Sequence, residues 1–557
     1  MSSEKPDVHD GGHHHLVHSH AHEEGIPGTV NMKAVEGDDT AYGQALFPVP
    51  AEDPNDPLQW SNFKKTMILI ICSFYSFLAN AALIGPSPYI DIWAAEFQIS
   101  QTEASELISY PNLAFGFGSF LFVPLYLKIG RRPVMLLSLV TFCAGLIGAS
   151  RCTTYAGLMA ARVIHGFGSC VCEALPVQLV NDIFFLHERG ERIGYYTVCL
   201  CLGTFASLPA GYMLAGGYGW RLFFYVEFAF GMALLLLAFF FVEETSYDRE
   251  GATTTSTTTA AAIIVPSSAF PSEGGEKVAS QEAENGVVSR SSVMTTPARK
   301  SFAQTLSLWG RVDPDVPFFT MMARSFTYFL VPQSLWVIAT FGINIGLLAL
   351  AYSYTFPILI VSAPYNWPVT SSGLFAIAAV IGYALAVPFT SSSDRLAAYF
   401  TRRNNGIREA EMRLGVMLPA MLIGPAGIVL YGLTAERGLH WVCFFVGGAM
   451  SYWAAYFYFS FTLAYAVDSY HANTSEMLIA MNLGKQAISF GLGLELLTWV
   501  MDSGYAVVMS GIFGGVLLAN NLVLLVFMVW GKSIRRFMTE TWLARLHFRS
   551  IRQFVTH

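Results

Sequence analysis

Charge is what this sequence has least of. Only 13% of its 557 residues are Asp, Glu, Lys or Arg, against about 25% in a typical soluble domain. That is too few to cover a chain of this size in water, so a soluble globular fold is excluded. Catalytic motifs are missing too. There is no GxSxG elbow, no HExxH pair and no GxxxxGK[ST] phosphate loop, and the residue patterns indicate no enzyme. Gly116, Gly118, Gly130, Gly203 and Gly211 lie in or beside apolar runs rather than between a strand and a helix, so they are no nucleotide fingerprint. Strict alternation of apolar and polar residues is absent, which excludes a membrane barrel.

Cysteine is sparse, at eight residues, all in or next to apolar runs. Cys170 and Cys172 have no second ligand pair at usable spacing, so they read as small buried groups, not as zinc ligands. No metal, cofactor or nucleic acid is expected. The first forty residues hold no apolar core of a signal peptide, and the first membrane run is expected to act as the insertion signal. His9, His13, His14, His15, His18, His20 and His22 lie in this polar stretch, which reads as an unstructured tail; weak metal binding is the rival reading.

Hydrophobic residues make up 54% of the chain. They fall in runs of roughly twenty, enough to cross about 30 Å of hydrocarbon as helices. Six runs lie near 66–86, 104–127, 133–151, 155–178, 194–215 and 221–241, and six more near 333–360, 369–390, 413–433, 438–464, 477–500 and 506–530. Between the two sets, a stretch rich in Ser, Thr, Gly and Glu reads as a flexible linker. The expected fold is an all-α membrane protein with twelve transmembrane helices in two six-helix halves. Its segments are a disordered tail 1–60, a first half 61–241, a linker 242–330, a second half 331–530 and a tail 531–557. The piece from Lys300 to Gly310 reads as amphipathic and surface-lying.

The few charges are placed unevenly. Lys128, Arg131 and Arg132 fill the loop between the second and third runs. Arg395, Arg402, Arg403 and Arg408 follow the eighth, and Lys532, Arg535 and Arg536 follow the twelfth. With twelve crossings all of these share one side. The other side holds Arg151, Arg221 and Arg437 with Asp91, Glu96 and Asp502. Short loops rich in Lys and Arg stay cytoplasmic, so both tails and the linker are expected there.

A charge inside hydrocarbon is costly and should face a cavity or a partner. Arg162 sits in the fourth run with His165, Gly166 and Gly168. It could hold an anion or tune an acid, or it could clamp backbone carbonyls. Glu173 lies eleven residues on, about 16 Å along one helix face. It could carry a proton or neutralise a cationic solute, or it could anchor the helix end near Pro176. Glu227, Lys485 and Glu495 lie in the sixth and eleventh runs and are cavity candidates, with a helix-end role as the alternative. Tyr452, Tyr456 and Phe459 recur at helical spacing in the tenth run, as an aromatic wall for a cation or as plain interior contacts.

The stretch Gly118 to Leu137, GSFLFVPLYLKIGRRPVMLL, resembles the signature loop of the major facilitator superfamily. Gly118, Lys128, Gly130, Arg131 and Arg132 match it, but Leu127 replaces the usual Asp, so an interhelix charge contact is missing or replaced. Arg162 with Gly166 and Gly168 resembles the fourth-span motif linked to proton coupling, with His165 in place of a frequent Gln. GTFASLPAGYML resembles the antiporter signature, with Ala206 and Ser207 where a Gly-Pro pair belongs. Cys172 to Tyr196 is similar to fungal transporters of the twelve-span drug:proton antiporter branch, a group that includes polyamine and cation permeases. The resemblance covers about residues 53–245 and 300–530. It implies a secondary transporter working by alternating access. Proton coupling would run through Arg162 and Glu173, and the partners would be the bilayer, a small organic solute and protons. Efflux of drug-like or secondary-metabolite compounds is the first expectation. Uptake of polyamines or other organic cations, and a non-transporting solute sensor, are the alternatives. A monomer in the plasma membrane is the default expectation.

Overall fold

The computed structural model describes residues 29–31, 53–215, 217–247, 300–308, 312, 317–390, 392–404, 407–469, 474–543 and 546. The histidine-rich tail and the 248–299 stretch lie outside them. Among the described residues all regular structure is helical except one short ribbon. There Thr29–Asn31 pairs antiparallel with Ile407–Glu409. The ribbon puts part of the tail expected to lack structure onto the second half.

Inside a bilayer every backbone amide needs an internal partner, and long helices supply it. Spans 1 to 3 are Asn62–Ile84, Gln101–Ile129 and Arg131–Arg151. Span 4 is broken into Tyr155–Ser169 and Ala174–Ile183. Span 5 runs from Leu186–Leu202 into Ser207–Ala215, and span 6 is Arg221–Phe241. Span 7 joins Pro332–Asn344 to Ala351–Val361 through a wide turn, and span 8 holds Val369–Gly373 and Ala376–Ala386. Spans 9 to 12 contain Leu418–Arg437, Val442–Ser469, Thr474–Ser503 and Gly514–Thr539. Among the described residues, eleven helical segments are long and apolar enough to cross a membrane. Span 11, at 30 residues, completes twelve and carries Lys485. Among the described residues of the stretch read as linker, the α-helices are one turn at Phe302–Thr305 and the helix Phe318–Thr327.

The Lys128–Arg132 loop defines one end of the bundle, the basic end. Its geometry explains how the loop manages without an acid at Leu127. Gly130 has φ +104°, a conformation that L side chains rarely adopt. Glu244, just after span 6, accepts from the Arg131 N–H at 3.0 Å and the Arg132 N–H at 3.1 Å, so it caps the first turn of span 3. Arg131 Nε donates to Asp182 of span 4 at 3.1 Å, and Thr245 donates to the same oxygen at 2.9 Å. Buried Arg132 donates to the Phe239 carbonyl at 2.7 Å and to the Thr305 carbonyl. The charge contact is therefore replaced, by Asp182 and Glu244. Lys128 is half-buried in the last turn of span 2.

The halves meet along two seams. Span 2 packs along span 11, with Thr102 Oγ1 3.5 Å from Thr498 Oγ1 and the Tyr110 ring 5.1 Å from the Phe490 ring. Spans 5 and 8 meet at the end opposite the basic one, where Gly211 and Gly373 let the Ser207–Ala215 and Val369–Gly373 backbones touch.

A Cβ at residue 130 would run into the Glu244 carboxylate and would also strain a positive φ. Gly130→Ala should therefore lower thermal stability by about 1–3 kcal/mol. Most of the free cysteines are buried, so a thiol-reactive dye reports unfolding. An unchanged melting curve would show that Glu244 does not cap span 3 as described.

Candidate functional site

Prolines set up the interior of the first half. Span 1 ends at Ile84 and runs into Gly85, Pro86, Ser87 and Pro88. In a continued helix, residue 86 would donate its N–H to the Ala82 carbonyl, and proline has no N–H to give. Pro111 inside span 2 leaves the Leu107 carbonyl bare in the same way. Arg162 supplies the missing donors. Its Nη1 reaches Ala82 O at 2.5 Å, its Nη2 reaches Leu83 O at 2.9 Å and its Nε reaches Leu107 O at 2.9 Å. The side chain is fully buried, with its guanidinium carbon 5.7 Å from the Phe224 ring centre. Guanidinium suits the task because it is a rigid fork of donors that keeps its charge. Among the described residues no acid pairs with it. Of the two readings open in the sequence, this arrangement is the carbonyl clamp.

The glycines beside Arg162 allow the close approach it needs. Gly166 lies against the Pro111 backbone, Gly168 against Phe142, and Gly145 of span 3 against the His165 backbone. His165 Nδ1 lies 2.5 Å from the Arg162 carbonyl, while its Nε2 is buried without a hydrogen-bond partner.

Span 4 then breaks, which corrects one expectation. Arg162 and Glu173 do not share the face of one continuous helix. Residues 170–173 form a turn, and Glu173 stands at the N-cap of the second piece. Pro176 bares the Cys172 carbonyl, which takes the Ser76 hydroxyl at 2.6 Å. Ser119 donates to Cys170 O at 2.8 Å and Tyr75 donates to Gly168 O at 2.9 Å. Hydroxyls from spans 1 and 2 thus hold the break open, with Gly118 packed on Cys170.

The break brings Glu173 to Lys485 of span 11, and the two form an ion pair across the halves. The Lys485 side chain is 3% exposed and that of Glu173 is 21% exposed, so the pair sits at the edge of the interior. Tyr196 steadies Glu173 by donating to its carbonyl at 2.9 Å. Lys485 lies 5.8 Å from the Phe341 ring, which contacts Phe459 at 5.1 Å. Asn482, Lys485, Gln486 and Ser489 recur at helical spacing and share one face of span 11. Asn482 Oδ1, Gln486 Oε1 and Ser489 Oγ are buried without hydrogen-bond partners, as is Asn344 Oδ1 on span 7. Buried polar atoms are normally paired. A row of bare oxygens beside an ion pair can receive N–H or O–H groups from a solute. The sequence flagged Glu173 and Lys485 separately and missed the Asn482, Gln486 and Ser489 row, although its spacing was there to read.

The other candidates stand apart from this pair. Glu227 is buried with one oxygen unpartnered, on a span packed against spans 1 and 3 of its own half. Glu495, ten residues beyond Lys485, is exposed and does not bond it. Tyr452 and Tyr456 do not form one wall. Tyr452 packs among Tyr352, Phe375 and Tyr383, lining a small cavity with Ser207, Ser353 and Ser372. Tyr456 OH lies 2.8 Å from Thr390 Oγ1 instead. Phe459 is the member of that stripe nearest Lys485. Among the described residues no cluster of three or more metal-ligating side chains occurs.

Two six-helix halves meeting at spans 2 and 11 and spans 5 and 8, with polar groups along the seam, define a membrane transporter of the two-half, alternating-access class. The family model of the Major Facilitator Superfamily matches residues 69–494, and the chain belongs to that superfamily. It is 23% identical over 531 residues to an uncharacterised MFS-type transporter of Schizosaccharomyces pombe, covering 91% of this chain and 90% of that one. It is 23% identical to protein HOL1 of Saccharomyces cerevisiae, covering 87% and 91%. A probable efflux pump of Aspergillus flavus is 25% identical, covering 73% and 88%. The xylose transporter XylE of E. coli, in a partially occluded inward-open conformation, shares the fold with a TM-score of 0.52 at 13% identity. That match covers 84% of this chain and 98% of XylE. The chain is thus a multi-pass membrane protein, a secondary transporter of small organic solutes by alternating access and not an enzyme.

If Arg162 serves the carbonyls that prolines bare, its value depends on those prolines. Arg162→Lys should lower the melting temperature, because one ammonium cannot span three carbonyls. In a Pro111→Ala background, Leu107 O regains its own donor and the same change should cost less. A coupling of about 0.5–3 kcal/mol is expected. Strictly additive losses in the four-variant thermal cycle would refute the clamp.

Proposed function

We propose that this transporter is proton-coupled, and that Glu173 is the group that takes the proton. The observation that carries this reading is the Glu173–Lys485 ion pair joining the two halves. A protonated carboxyl no longer pairs with an ammonium, so proton binding frees Lys485 and loosens the tie across the seam. Deprotonation restores it. Proton transfer at one oxygen is thereby converted into a change in how the halves are joined. Arg162 contributes by position: it fixes Ala82 and Leu83 of span 1 and Leu107 of span 2 against span 4, whose break presents Glu173.

The basic end faces the cytoplasm, by the Lys and Arg excess of its short loops. Both tails and the linker then lie on that side, and the protein works as a monomer in the plasma membrane. Efflux of drug-like or secondary-metabolite compounds is the proposed direction, supported by the fungal relatives, one of them named a probable efflux pump. One observation favours a second reading, uptake of a polyamine or another organic cation. The bare oxygens Asn482 Oδ1, Gln486 Oε1 and Ser489 Oγ lie on the same face of span 11 as Lys485, the partner of the Glu173 carboxylate, and suit a solute rich in N–H donors.

Purified protein in sealed liposomes under an imposed pH gradient should move a probe, with ethidium and radiolabelled spermidine tested side by side. Glu173→Gln should remove the gradient-driven component by about tenfold or more while leaving gradient-free exchange measurable. Gradient-driven movement that survives the substitution would rule out Glu173 as the proton site.

A further inference from the structure

Between Thr102 and Gly116, span 2 touches span 11 directly. The Thr102 and Thr498 hydroxyls lie 3.5 Å apart, Tyr110 meets Phe490 at 5.1 Å and Gly116 lies against Gln486. One turn nearer the basic end the neighbour changes. At Phe120 the ring across the seam belongs to Phe326, 5.1 Å away, in the helix Phe318–Thr327. This helix precedes span 7 and packs on both span 2 and span 11. Its hold on its own half is electrostatic and steric. Arg324 Nη1 lies 3.6 Å from Glu476 Oε1 at the start of span 11, with the Glu476 side chain only 3% exposed. Phe329, just beyond the helix, fills the space over Gly484. Its hold on the first half includes a ring contact, with no ion pair to span 2 among the described residues.

Alternating access changes the separation of the two halves at each end in turn. A helix fastened to one half and resting on the other cannot keep both contacts through the cycle, and the contact without an ion pair is the one to yield. We infer that Phe318–Thr327 is a state-dependent catch: it travels with the second half and grips span 2 through Phe326 only while the halves are together at the basic end, as they are here. Arg324 and Glu476 are positioning residues that keep the catch seated. Glu173 and Lys485 play no part in it, so the inference stands apart from the proton-site reading.

The test uses the full chain in nanodiscs, with benzoylphenylalanine replacing Phe326 and Ser353→Cys as a reporter. Ser353 lines the small cavity beside the span 5 and span 8 seam at the far end. Irradiation should cross-link residue 326 to span 2 near Phe120. In the cross-linked population the basic end cannot open, so the halves shift towards the state open at the far end and a maleimide should modify residue 353 about fivefold faster. Protein without the Ser353→Cys change corrects for the native cysteines. Benzoylphenylalanine at Phe319, which is 81% exposed, is the irradiation control. Adding Arg324→Gln should reduce the cross-linking yield about threefold. An unaltered maleimide rate after cross-linking would overturn the catch, as would cross-links confined to the second half. An unaltered yield with Arg324→Gln would overturn the seating role of the ion pair.

Discussion

Hydrocarbon offers no hydrogen bonds, and everything in the first half follows from how three bare carbonyl groups are served. Pro86, Pro111 and Pro176 each remove the donor that a helix would have supplied four residues earlier. Ala82 and Leu107 are served by Arg162, and Cys172 by Ser76. The cost of burying a guanidinium is offset by carbonyls that would otherwise be orphaned in the same medium. Spans 1, 2 and 4 are thereby tied at one point, and the tie allows span 4 to break just beyond it. The prolines and the charge belong to one device.

The break has a geometric result. A straight span 4 would carry Glu173 along the line of Arg162, whereas the turn at 170–173 hands it to the opposite half. Lys485 is buried more deeply than its partner. Removing one member of such a pair leaves an uncompensated charge in a poor solvent. The strength of the pair therefore depends on both groups staying in register, and so on the relative position of the halves.

The helical crossings were legible because their signal is collective. Twenty apolar residues in a row admit few other structures, and span 6 begins and ends where expected, at Arg221 and Phe241. Individual embedded charges were legible as unusual but not as partners. Glu173 and Lys485 are 312 positions apart, and only the fold brings them together. The break in span 4 was readable in principle from Pro176, yet a proline near a helix end also fits a simple terminus. Asp182 and Glu244 show the same limit. Each belongs to a different part of the chain from the loop it serves, and the substitution at Leu127 announced a gap without naming what fills it. The aromatic stripe of span 10 shows a related limit: equal spacing puts Tyr452, Tyr456 and Phe459 on one face, but three different neighbours claim them.

The small ribbon at Thr29–Asn31 changes how the molecule is strung together. Its partner strand, Ile407–Glu409, belongs to the second half, and Thr29 also takes a hydrogen bond from Arg535 at 3.3 Å. The same chain then runs through residues 32–52 to Asp53, whose carboxylate receives Tyr247 at 2.9 Å at the foot of the first half. The lobes are thus joined twice, once by the covalent connection after span 6 and once by a leader zipped to the far lobe. Two three-residue strands make a weak zip on their own. While closed, it turns an open string of two lobes into a loop, and a cut in the central connection would leave them still tethered.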